Sequence, residues 1–216
     1  TDEHLERALA LGSRYGQGWM FGRPAPTPDF GARPGALPAR MAARAAPAAG
    51  RTPFEEVGAA GRPERTSTKR LLLALSLELE IQAESLGPEA VVLSNLQHDY
   101  HFTPLTRARY RRLAAGAAFV GLLGTDLGAN PEPGVRGGDL LPDEPMVDEW
   151  SVIVVSPHFA AAMVARDLGD RRDRDMDRRF GYYLTYDRAV CVEAARQIMA
   201  RISPADDSPR PHLTVL

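Results

Sequence analysis

Two histidines in the run His98-Asp99-Tyr100-His101 stand close enough in sequence to share a metal ion or a haem iron. Such a centre needs a further placed ligand, and none accompanies them, so the pair reads as solvated or capping histidines and no metal site is expected. Asp173, Asp175 and Asp177 imitate the start of a calcium loop, but the residue that should be glycine is Arg178 and the closing glutamate position is Leu184. Ser156 and His158 lack the glycines of a nucleophile elbow, and a capping role accounts for Ser156. Cys191, the single cysteine, excludes an internal disulfide and fits a reducing cytosol. On an amphipathic helix it reads as packing rather than as a chromophore attachment point. The ligand-binding candidates are Tyr110, Glu149 and Trp150. Glu149 and Trp150 at a strand edge, with Tyr110 on a helix, would form one side of a pocket offering aromatic surface for stacking and a carboxylate for orientation. Alternatively Trp150 is core and Glu149 pairs with an arginine such as Arg109 or Arg112. No cofactor is named by these residues.

Positioning that trio requires a sheet and helices. Residues 2–11 have helical spacing with Gly12 as a stop, and from about Pro24 to Pro63 proline, alanine, glycine and arginine predominate, which predicts a disordered linker about 40 residues long. Thr66, Ser67 and Thr68 offer caps for a helix over 69–86, ended by Gly87-Pro88. Residues 91–96 read as a strand, and Thr103-Pro104 opens a helix to about Ala115. A buried strand over 117–123 and a long loop over 124–145 follow. The β-branched run 149–155 predicts the third strand, and Ser156-Pro157 repeats the cap-and-proline device, predicting a helix to about Leu168. A charged loop leads to a fourth strand over 179–186, then Asp187 caps a last helix ending near Ile202, with a polar tail over 203–216. The expected fold class is α/β in the broad sense (α+β): a single four-stranded sheet with covering helices, in the order α-βαβ-βαβ-α. A ferredoxin-like sheet and a mixed open sheet fit equally.

The 216 residues carry 26 basic and 28 acidic side chains, a formal charge of -2, so the chain lacks the basic excess that favours nucleic acid or an anionic membrane. Every basic residue except Lys69 is arginine, a bias that reads as GC-rich coding rather than phosphate recognition. Neither 71–77 nor 114–124 approaches the roughly 20 apolar residues that span a bilayer. A chain that opens on Thr1 and an ordinary amphipathic pattern is expected to start inside a longer protein.

The segment Gly16-Gln17-Gly18-Trp19-Met20-Phe21-Gly22-Arg23-Pro24 resembles the C-terminal end of EAL-type cyclic-di-GMP phosphodiesterase domains. The resemblance implies that Gln17 matches an active-site glutamine. The family's E-A-L glutamate, paired aspartates, catalytic lysine and other metal ligands have no counterpart here, and metal-activated hydrolysis needs several carboxylates, so no catalytic residue is assigned. Leu75-Ser76 and Glu80, Arg109-Tyr110-Arg111-Arg112-Leu113, Glu149-Trp150, Arg179-Phe180 and Thr185-Tyr186-Asp187 together resemble the DICT sensory domain. The two resemblances imply an EAL remnant over 1–26, a linker over 27–65, a DICT-like domain over 66–202 and a tail. They imply a cytoplasmic, non-enzymatic regulatory domain that binds a small ligand or responds to light and modulates an upstream EAL domain of the same chain. Two other outcomes are an inactive fragment of a phosphodiesterase and a ligand-free oligomerisation module. A homodimer through the helix over 69–86, with Leu72 and Leu79 in the interface, is the expected form of self-association.

Overall fold

Side chains alternate across a seven-stranded sheet, and each of its faces is buried by a separate pair of helices. The computed structural model describes residues 51–170 and 172–202, together with Pro26. Apart from Pro26 these belong to the compact unit Ala49–Leu216. The elements in chain order are α1 (Pro53–Ala59), β1 (Arg65–Thr68), α2 (Lys69–Ser85), β2 (Val91–His98), α3 (Pro104–Gly116), β3 (Phe119–Thr125), β4 (Val135–Asp139), β5 (Glu149–Val155), β6 (Ala160–Asp167), β7 (Arg179–Thr185) and α4 (Arg188–Met199). Their spatial order is β1-β7-β6-β5-β2-β3-β4. The β2-β3-β4 side is parallel and every other pairing is antiparallel.

One face sends Val92, Leu122, Val152, Met163 and Phe180 toward α2 and α3, where Leu72, Leu79 and Leu113 meet them. The other sends Leu93, Leu123, Ile153 and Val164 toward Phe54 and Val57 of α1 and Cys191 and Ile198 of α4. Each large aliphatic side chain buried in this way contributes about 1.5–3 kcal/mol. The helix starts are chemically specified. Thr52 and Glu55 form a capping box before Pro53, the Thr103 side chain accepts from the Thr106 N–H, and the Asp187 side chain accepts from the N–H groups of Ala189 and Val190.

The sheet has seven strands where four were expected, and the physical reasons differ from strand to strand. Residues 156–168, expected to be a helix, hold β6. Ser156 closes a tight turn instead, its Oγ accepting from the Phe159 N–H at 3.2 Å while its own N–H donates to the Phe159 carbonyl at 2.8 Å. The alanines that imitate a helix are needed small because β6 is covered on both faces and paired on both edges. Inside the expected loop 124–145 lies β4, whose glycines hide it from a propensity argument. A Cβ on Gly138 would sit 2.2 Å from the Arg201 carbonyl oxygen, so close approach of backbone, not strand preference, selects that residue. Thr66, Ser67 and Thr68, expected as caps, form β1 on β7; Thr68 occupies the N-cap position of α2 without a side-chain cap bond.

The expected linker over 27–65 also needs correction at its C-terminal end, where residues 53–59 form α1 and pack Phe54 and Val57 into the core. The rest of that stretch, the EAL-like segment with Gln17, the helix over 2–11 and the tail over 203–216 lie outside the described residues. Leu72 and Leu79 are 0% and 2% exposed, so they belong to the core and not to a dimer interface. The apolar residues that α2 does present outward are Leu71 and Ile81. No helix among the described residues is long and apolar enough to cross a membrane.

Candidate functional site

Strand alternation separates the expected trio. Glu149 points to the α1/α4 face and Trp150 to the α2/α3 face, so a single pocket cannot use both. Trp150 lines a partly open cavity of about 90 Å³ between α2, α3, β5 and the end of β2. Tyr110 is fully buried beside this region and acts on it indirectly.

The polar side of the cavity is built on Glu80, which α2 places at 2% exposure. Arg109 Nε donates to one carboxylate oxygen and the Tyr110 hydroxyl to the other, the latter at 3.1 Å. That hydroxyl carries one proton, which it gives to Glu80; it therefore accepts from the Ser94 hydroxyl at 2.7 Å. Burial pushes the Glu80 carboxyl above its ordinary range, with Arg109 pulling the other way. Burial, reinforced by the neighbouring Glu80, pushes Tyr110 well above the usual phenol range, which keeps the donated proton in place.

Opposite Glu80 the end of β2 is distorted. The register on β3 shifts between Asn95 and His98, and Gln97 has φ of 68°, a left-handed conformation uncommon for a residue with a Cβ. Its N–H donates to Asn95 Oδ1 at 2.9 Å, and Asn95 Nδ2 donates to the Met146 carbonyl at 2.7 Å, which together hold the distortion. The Gln97 side chain lines the cavity at 7% residue exposure, and its amide has no hydrogen bond among the described residues. His101 completes this side; burial first, and then the nearby Lys69 ammonium, push its imidazole from 6.5 down to about 4. Lys69 itself is held by Asp175 at 2.6 Å.

A lowered histidine pKa means that the unfolded chain binds the extra proton between about pH 6.5 and 4. The stabilising contribution of neutral His101 is present above 6.5 and is lost as the pH falls toward 4. His101→Gln is therefore expected to become more stable relative to the unaltered domain as the pH is lowered through that window, measured by urea unfolding at several pH values. A constant difference would show that His101 does not titrate in this way.

The other expected features are structural. His98 Nδ1 shares a hydrogen bond with Thr125 Oγ1 at 2.7 Å, its ring stacks on Tyr100, and no group of three ligating side chains suited to a metal occurs among the described residues. Asp175 and Asp177 pair with Lys69 and Arg70, at 2.6 and 3.6 Å. Cys191 is buried, its thiol pushed up to about 11 by burial, which makes it a poor nucleophile.

Glu149 pairs with Arg166, not with Arg109 or Arg112, whose partners are Glu80 and Glu84. It accepts from Thr52 Oγ1 at 2.5 Å, Arg166 at 2.9 Å and the Phe54 N–H at 3.2 Å, while the Arg166 guanidinium lies 4.4 Å from the centre of the Phe54 ring. Adjacent residues of β5 thus serve the cavity and the start of α1.

With this geometry in hand, comparison with known families gives a match over residues 56–168 to DICT, described as the sensory domain in diguanylate cyclases and two-component systems. The chain belongs to the DICT family. No curated protein and no solved structure matches it. The matched segment contains every lining residue of the cavity, whereas β7 and α4 lie beyond it and still complete the DICT sheet and core. Residues 1–26 fall outside the match, which leaves the EAL resemblance on its quoted motif. Among the lining residues Gln97 could not have been found by pattern, since its value lies in a local distortion. Glu80 did carry a signal, as an acid flanked by Leu79 and Ile81 in an apolar helix.

Proposed function

We propose that this DICT domain senses a small ligand held in the cavity beneath α2 and α3, and that occupancy is passed along β5 to α1 and whatever precedes it. The observation that carries the proposal is Gln97, a residue 7% exposed in a left-handed backbone, whose side chain lines the cavity and makes no hydrogen bond among the described residues. Trp150 lines the same cavity and is adjacent in β5 to Glu149, the residue that binds the N-terminus of α1. Movement of the indole is therefore felt at the segment through which an upstream domain would be attached. The motif around Gln17 supports an EAL phosphodiesterase as that regulated partner in cyclic-di-GMP signalling.

The test is to purify the chain from its native host, record its absorbance spectrum and identify any small molecule released on unfolding. A stoichiometric compound displaced by Trp150→Ala is the expected result; an empty protein whose Trp150 environment responds to no small molecule would overturn the proposal. For the regulatory link, cyclic-di-GMP hydrolysis by a protein carrying both segments should change when the cavity is filled, and an unchanged rate would remove the EAL partner.

A further inference from the structure

Resting on the reading of this cavity as the ligand site, we infer that its ligand is a small monocarboxylate, bound by Arg109 and Gln97 with its apolar end against Trp150. Size is the first constraint. About 90 Å³ is far below the hundreds of Å³ of sites that enclose drug-sized ligands. A nucleotide, cyclic di-GMP included, does not fit inside it, whereas an acid with a two- or three-carbon skeleton does.

The balance of donors and acceptors is the second. Glu80 is the carboxylate in the lining among the described residues, and its two oxygens accept from Arg109 and Tyr110. Arg109 uses only Nε for that pair, and its two terminal nitrogens have no hydrogen bond among the described residues. Gln97 adds an unpartnered amide, and His101, neutral at ordinary pH, adds a ring N–H. Lys69 stands at the rim with its ammonium on Asp175, and Asp175 is also bound by Arg178. Gln97 and His101 each offer an acceptor as well as a donor, so the discriminating features are the free charged donors of Arg109 and a lining whose Lys69 and Arg109 outnumber Glu80, the arrangement that favours an anion with two oxygens over a cation. Leu73, Leu96 and Trp150 supply the apolar wall for a short alkyl group.

The inference is tested on the full chain carrying Trp19→Phe, which leaves Trp150 as the only indole. Sodium propionate is titrated against matched sodium chloride, and propionamide serves as the uncharged analogue of the same shape. Propionate is expected to shift Trp150 emission saturably, with propionamide at least about tenfold weaker. Gln97→Gly should weaken propionate by about tenfold without lowering the urea midpoint, because glycine relaxes the left-handed backbone that glutamine strains. Equal binding of propionamide would overturn the carboxylate assignment and leave the cavity as a ligand site. Propionate binding unaffected by Gln97→Gly would place the acid elsewhere and overturn it as well. Silence of Trp150 toward both compounds, together with no small molecule released from natively purified protein, would sink the assignment and the sensory reading of the cavity together.

Discussion

Glu149→Leu is expected to destabilise the domain by about 3 kcal/mol and to release α1 before the rest of the sheet opens. The carboxylate is 1% exposed and ties three donors together, and the substitution removes it without creating a large void. The Thr52 hydroxyl and the Phe54 N–H are left without their acceptor in a buried setting, at about 1–3 kcal/mol for each such group. Arg166 recovers part of its loss, since its side chain is 38% exposed and already approaches Glu55 at 3.8 Å. Hydrogen exchange should therefore show residues 53–59 losing protection while β5 and β6 keep theirs. Urea unfolding should report the total. Uniform loss of protection over the whole domain would mean that α1 is not a separable unit, and an unchanged urea midpoint would mean that Glu149 does not anchor it.

That α1 is held by core packing of Phe54 and Val57 and by hydrogen bonds to Glu149 of β5 explains why the linker expectation failed at its C-terminal end. Residues 53–59 are too few to form a stable helix alone, and their composition continues that of the stretch before them. Their order comes from Phe54, Val57 and Glu149, a tertiary cause that local patterns do not carry. The local signals, the capping box of Thr52 and Glu55 with Pro53 at the first helical position, lie at the end of a stretch dominated by alanine, glycine and proline. By contrast α2, α3 and α4, and the β-branched strands β2, β3 and β5, declare themselves through caps, prolines and apolar runs, so they were legible. The alanine-rich β6 and glycine-rich β4 were not, because in each the residue type answers to a neighbour packed against it and opposes the strand propensity. The site divides in the same way. Trp150 as a cavity wall and Tyr110 as part of a polar network follow from residue type, but the separation of Glu149 from Trp150 becomes decisive only when both faces of the sheet are known to be covered.

The network under the cavity gives the other large effect, and there a double substitution separates stability from sensing. Glu80→Leu should cost about 3 kcal/mol, because Arg109, whose side chain is 19% exposed, loses the carboxylate that pairs with it among the described residues and Tyr110 keeps Ser94 alone of its two partners there. Replacing Arg109 as well, in Glu80→Leu with Arg109→Leu, removes the uncompensated charge. Apolar pairs of similar volume often do as well as a buried ion pair, so the double variant should recover to within about 1 kcal/mol of the unaltered domain. The pH dependence supplies an independent check of sign. Burial raises the folded-state pKa of Glu80, so its contribution to stability is full below the unfolded value near 4.5 and is lost as the pH rises through the folded value. Both variants should lack that falling component. If the pair exists only to hold α3 against α2, the double variant will be stable and will still answer to a ligand through Trp150. If Arg109 also contacts the ligand, the double variant will fold and its Trp150 will fall silent, a combination that loss of packing does not produce.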